Sequence, residues 1–303
     1  EKDKPSSWKS ANNGADYIVI THEDFYDSVL TLAERRSASG LRVVKVKVGD
    51  IYDEFNYGIF NPQAIRDFLL YAYNNWVTPA PVYDLLVGDA YQDYKDSLKT
   101  GTLNYVPTQI IETDILGETP SDNWFVLVSG NDILPDMYIG RLSAETKSQA
   151  EDIVDKIIYY EKNPPVKSWN KNVLLVADDD SASFEELSEQ LADLLPADYT
   201  ASKVYVGDYT SEGSPTKDIL KYIDNGSLLV NYTGHGAVDS WGLWGDDKSI
   251  FTQTDITSLN NTNKFPVVTV ADCLNGFFSG PKTQVSMAEG FQRLKDKGAV
   301  AVW

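Results

Sequence analysis

Two stretches decide how this chain reads: SLLVNYTGHG, residues 227–236, and VVTVADCLNG, residues 267–276. Each contains a short apolar run of the kind that forms a strand buried on both faces. Each run ends on a residue with chemistry. His235 lies between two glycines, and Cys273 precedes Leu-Asn-Gly. The chain holds 2 histidines and 1 cysteine, so both side chains are scarce. In an open parallel sheet, ligands gather beyond the carboxyl ends of the strands. Two such strands side by side set His235 and Cys273 on one rim.

The same alternation extends outward along the chain. Residues 17–20, 42–48, 83–89 and 136–141 read as strands, and residues 24–36, 61–75 and 143–161 as helices. Further on, residues 173–177, 202–206, 228–232, 267–271 and 299–303 read as strands. Helical spacing falls at residues 184–195, 216–225 and 286–297. Pro164 and Pro165 end the helix before them and force an extended joint. The expected fold is therefore α/β: two side-by-side, doubly wound, mainly parallel sheets, in units 1–163 and 164–303.

Composition narrows the function. Asp and Glu number 45 against 26 Lys and Arg, a net charge of −19. Such a surface does not hold nucleic acid by neutralising phosphates, and it is repelled by anionic membranes. No apolar stretch reaches the roughly 20 residues of a membrane span. A single cysteine excludes an internal disulfide and makes Cys273 the only thiol available for chemistry. The 18 tyrosines and 7 tryptophans are scattered, which reads as packing and not as a sugar or base platform.

A thiol attacks well only as a thiolate. A neighbouring imidazole takes its proton and later delivers it to a leaving amine. Gly234 and Gly236 leave room around the ring, and the N–H groups of Gly236 and Cys273 can cradle an oxyanion. Alone, a cysteine ending an apolar strand is ordinarily a small core residue, and a loop histidine is ordinarily solvated. The conjunction of the two strand ends points to a dyad. Asp272 reads as an outward-pointing, solvated side chain, since a carboxylate beside a thiol disfavours the thiolate. His22 reads as a helix-capping or surface residue.

YTGHG and ADCLNGFF, with YDLLVGD and GNDILPDMYIGRLS earlier, resemble the gingipain family of cysteine peptidases, whose fold is caspase-like. The resemblance implies a cysteine endopeptidase with a caspase-like second unit. On it, Cys273 is the nucleophile, His235 the general base and Gly236 an oxyanion donor. Asp180, in LLVADDDS, is the acid that steadies the histidine. Thr233, Trp241 and Ala271 line the pocket for the residue before the scissile bond. The family's basic-specificity acid falls on Phe184 here, followed by Glu185 and Glu186. The pocket then takes either a basic residue through a neighbouring glutamate or an apolar one.

The partner implied is a protein or peptide substrate, and the location secreted or cell-surface. Catalysis requires no cofactor; structural calcium is the one ion the resemblance brings in, with the ADDD cluster a candidate site. The same dyad serves a transpeptidase when an amine replaces water. A non-catalytic, partner-binding scaffold with Cys273 packed inside is the other reading. GAVAVW, residues 298–303, reads as a core strand at the end of the chain. It implies an incomplete unit joined by a C-terminal companion fragment or further domains.

Overall fold

The computed structural model describes residues 5–163, 168–209, 214–244 and 248–303. The Pro164–Pro165 joint lies outside the described residues. The chain forms two compact units, Glu1–Val154 and Asp155–Trp303.

The first unit runs β1 (Tyr17–Thr21), α1 (Leu30–Ala38), β2 (Val43–Lys47), α2 (Val48–Asn56), α3 (Pro62–Asn75), β3 (Tyr83–Val87), β4 (Gln109–Thr113), β5 (Gly117–Ser121) and β6 (Tyr138–Leu142). A long helix, α4 (Lys147–Lys162), follows. The sheet order is β2-β1-β3-β6, with every pair parallel. Ile18, Ile20 and Leu86 of the strands meet Ile65, Phe68 and Leu69 of α3 in the core. β4 and β5 form a separate antiparallel hairpin.

Local chemistry shifts some expected boundaries. The helix expected at residues 24–36 is a short 3-10 turn, Glu23–Phe25, and then α1. His22 caps that turn, its Nδ1 accepting from the Asp24 N–H at 3.2 Å. The strand expected to reach Val48 gives way there to α2, which buries Val48, Ile51 and Tyr52. α2 stops at Tyr57, whose left-handed backbone (φ 55°) ends the helix.

The second unit runs β7 (Asn172–Ala177), α5 (Ala182–Asp193), β8 (Thr200–Tyr205), α6 (Pro215–Asn225), β9 (Leu229–Thr233), β10 (Ser240–Trp244), β11 (Lys248–Thr252), α7 (Gln253–Ser258), β12 (Val267–Ala271), α8 (Met287–Arg293) and β13 (Ala301–Val302). Its sheet, β13-β12-β9-β7-β8, is parallel throughout. Leu174, Val176, Val230, Val268 and Phe291 build its core. The helix starts carry their own signals. Ser286 and Glu289 form a capping box at α8, and Thr252 with Asp255 does the same at α7. Lys156 Nζ, buried, donates to the carbonyls of Phe291, Gln292, Lys297 and Ala299, fastening the segment between α8 and β13.

The two sheets share a winding rule. From β7 the chain steps to β8 on one side and then returns to β9 on the other. From β1 it steps to β2 and returns to β3 in the same way. Each reversal opens a crevice beyond the carboxyl ends of two central strands.

Candidate active site

β9 and β12 are adjacent and parallel, and their last paired residues are Thr233 and Ala271. Adjacent strands lie about 4.8 Å apart. Two residues beyond that last pair come His235 on one strand and Cys273 on the other, so both project from one rim. Both side chains are exposed. The scaffold reading, with Cys273 packed in the core, does not match this exposure.

The peptide of His235 is held at both ends. Its N–H donates to Asp178 Oδ2 at 3.0 Å. Its carbonyl accepts from the Tyr232 hydroxyl at 2.6 Å and from the Gly242 N–H at 2.8 Å. Asp178 is fully buried and also accepts from the Asp179 N–H at 2.8 Å. Burial, and the charge of Asp178, push the Tyr232 hydroxyl well above its ordinary pKa, so it remains a donor. Tyr232 in turn stacks on Trp241, centroids 4.5 Å apart and planes 4° apart.

The glycines follow from this packing. A Cβ on Gly234 would sit 2.4 Å from the Asp178 Cβ, and one on Gly242 would sit 2.2 Å from Asp178 Oδ2. A Cβ on Gly236 would lie 2.0 Å from Asp272 Oδ2. Neither Gly234 nor Gly236 has a positive φ, so close approach and not backbone freedom demands glycine here.

Gly236 bridges antiparallel to Trp241. The flanking bonds are Ala237 N–H to the Ser240 carbonyl and Gly242 N–H to the His235 carbonyl. That pattern makes Gly236 and Trp241 a non-hydrogen-bonded pair, whose own N–H groups point out of the bridge. Asn275, buried, ties the loop after Cys273 to the same hairpin through the carbonyls of Ala237 (2.6 Å) and Ser240 (3.1 Å).

The residues named from sequence fall as follows. Asp180 Oδ2 lies 3.9 Å from His235 Nε2, with both side chains exposed. An Nε2–H turned to Asp180 leaves Nδ1 as the basic nitrogen. Phe184 presents its ring edge-to-face to His235, centroids 5.6 Å apart. Glu185 is half-buried beside Gly207, toward the β8 edge and away from β12, and Glu186 is exposed. Ala271 is exposed on the rim, whereas Thr233 is buried, its hydroxyl on Asn231 Oδ1 at 3.1 Å.

Two expectations are corrected. Trp241 is fully buried, stacked beneath the His235 loop, and offers no surface to a substrate. Asp272 is half-buried and does not point outward into solvent. It lies against Gly236, its Oδ1 accepting from the Asn275 N–H at 3.3 Å and its Oδ2 buried without a partner. Burial raises its pKa to about 6. Asp178, two residues before the Asp180 placed from sequence and in the same acidic run, is the acid that fixes the histidine backbone. As for calcium, of the ADDD carboxylates Asp178 accepts from the His235 N–H and Asp180 lies 3.9 Å from His235 Nε2, while Asp179 is exposed. Among the described residues no group of three or more His, Cys, Asp or Glu side chains comes together.

The chain belongs to peptidase family C25, whose sequence profile matches residues 10–303. Lys-gingipain HG66 of Porphyromonas gingivalis is 29% identical over 255 residues, spanning 82% of this chain and 13% of that protein. Gingipain R2 of the same species is 27% identical over 300 residues, 94% of this chain and 36% of that protein. This chain thus spans a minor part of these relatives. The crystal structure of the Arg-specific cysteine proteinase gingipain R superposes with a TM-score of 0.74 at 26% identity, covering 99% of this chain and 64% of that one. The complex of the RgpB pro- and mature domains gives 0.74 at 25% identity, covering 94% and 62%. Among the described residues no helix is long and apolar enough to cross a membrane.

Proposed function

We propose that this chain carries the catalytic machinery of a cysteine endopeptidase acting on protein or peptide substrates. The observation that carries the reading is the Thr233–Ala271 pairing, which brings His235 and Cys273 to one rim beside an outward Gly236 N–H. Membership of the family supports it. The Cys273 thiol gives its proton to His235 and its sulfur bonds to the substrate carbonyl carbon. The carbonyl oxygen takes the negative charge, held by the N–H groups of Gly236 and Cys273. As the intermediate collapses, the C–N bond breaks and the amine leaves with the proton from His235. Water, deprotonated by His235, then cleaves the thioester and restores the thiol.

The residue before the scissile bond is, on this proposal, uncharged. Phe184 stands against the histidine where the gingipain resemblance places an acid, and Glu185 is turned toward β8. The resemblance to gingipains also supports placing the enzyme outside the cell, secreted or at its surface. A peptide-like thiol-reactive electrophile tests the mechanism. Rapid labelling of Cys273 that drops at least about 100-fold in His235→Ala is expected, the lower range for a lost general base. Labelling no faster than that of a free thiol, with the fold intact, rejects it.

A further inference from the structure

We infer that the amino-terminal unit has a ligand site of its own, for a neutral saccharide of one or two rings, in the cleft beyond the carboxyl ends of β1 and β3. The inference is independent of the peptidase reading.

Placement comes first. β1 and β3 flank the winding reversal of this sheet, where open α/β sheets bind ligands. A hollow of about 350 Å³ lies on this rim, walled by Phe60, Tyr91, Tyr94, Asn104, Thr108 and Glu118. A second hollow, of about 250 Å³, shares the walls Phe60 and Asn104 and reaches His22 and Tyr52. The first falls in the size range of small-ligand sites. Two hollows with a common wall suit two linked rings.

The walls hold unmet polar capacity. Tyr91 Oη, Thr108 Oγ1 and Asn104 Oδ1 in the larger hollow, and Tyr52 Oη in the smaller, are buried without a hydrogen-bond partner. Tyr91 and Thr108 are 2% and 5% exposed. An unsatisfied buried polar atom costs about 1–3 kcal/mol. Four of the thirteen such atoms among the described residues fall along this one cleft. Rotation of the three hydroxyls sets where their hydrogens point, while the Asn104 amide nitrogen stays on the Tyr91 carbonyl.

The chemistry of the walls selects the class. Phe60 and Tyr94 lie nearly parallel, 12° apart with centroids 6.3 Å apart, and Tyr94 is 60% exposed. A flat apolar face beside groups that both donate and accept matches a sugar ring, with its C–H face and its hydroxyls. Asn61, Gln92 and Asn104 supply amides of that kind. Four carboxylates against two lysines disfavour phosphates and nucleotides. Glu118, Glu23, Asp50 and Asp53 line the two hollows; Lys47, which lines the smaller, is bonded to Glu23, and Lys95 lies over the Tyr94 ring at 5.3 Å. The larger hollow draws its walls from separate chain segments, residues 60–62, 91–94 and 104–110 with Glu118.

Saturation-transfer NMR on the full chain, as Cys273→Ala, tests this with glucose, galactose, mannose, N-acetylglucosamine, N-acetylgalactosamine, maltose, lactose and chitobiose. Glucose 6-phosphate and a proline-rich peptide serve as comparisons. At least one neutral sugar should bind, with saturation strongest on one ring face. Tyr94→Ala, an exposed position whose thermal melt should stay unchanged, should weaken that binding at least tenfold. Thr108→Val should weaken it too. Silence from every sugar overturns the inference. So does binding that survives Tyr94→Ala, or displacement of the sugar by the phosphate or the peptide.

Discussion

The carboxyl of Asp272 fills the space that a side chain on Gly236 would need, its Oδ2 lying 2.0 Å from the position of a Cβ. The residue before the proposed nucleophile and the proposed oxyanion donor are thus packed against each other. Gly236→Ala should lower kcat/KM by about 100-fold or more through loss of the oxyanion geometry. It should also destabilise the fold by about 1–3 kcal/mol through overpacking. Adding Asp272→Ala should restore part of both, a coupling that a double-mutant cycle measures. Strict additivity of the two changes would show that the contact has no energetic meaning.

Asp272 also makes a prediction about pH. Burial raises its pKa from 3.8 to about 6 in the folded chain. Between these values the folded state keeps a proton that the unfolded state has lost, so stability falls as pH rises from about 4 to about 6 and is level above. The contribution is about 1–2 kcal/mol once partial solvent screening is allowed for. Asp272→Asn keeps the shape and removes the titration. Urea melts should therefore find it more stable than the parent at pH 7.5, with the difference shrinking toward pH 4. An equal difference at both pH values would contradict this.

The two acids near His235 should separate cleanly. Asp178 is buried and bonded to the histidine N–H, so Asp178→Ala should cost about 2–4 kcal/mol and abolish most activity. Asp180 is exposed and meets the ring at 3.9 Å. Asp180→Ala should leave stability within about 0.5 kcal/mol, as exposed ion pairs do. Its activity should fall by less than tenfold. Chemical denaturation and kcat measured side by side check both.

Phe184 tests specificity. A peptide-library profile of the parent should favour uncharged residues before the scissile bond. Phe184→Asp should raise the share of Arg and Lys there at least tenfold, because a carboxylate would then stand beside the site. A parent profile already dominated by Arg or Lys would reject the assignment.

Much of the site was legible in the sequence because strands β9 and β12 are short apolar runs with reactive residues just past their ends. The inward acids were legible too, by a signal left unused. Leu174, Val176 and Asp178 share one face at period two, as do Val268, Val270 and Asp272. The first two of each set pack in or against the core, so the third enters it as well. Trp241 was harder to place. Its burial depends on the hairpin of β10 and β11 packing on Tyr232, a tertiary contact that the local pattern does not report. The helix α2 was missed because it starts on Val48, the residue that also reads as the end of a strand.

The mounting of His235 has a consequence for how little must be frozen at reaction. Its peptide is bonded at both ends, while its ring is exposed and meets Phe184 edge-to-face and Asp180 at 3.9 Å. Folding has therefore already removed the backbone freedom of the loop, and two side-chain torsions are what substrate binding has left to settle. Carbon relaxation on this histidine should find a rigid α-carbon under a ring that reorients on its own, like a vane on a fixed post.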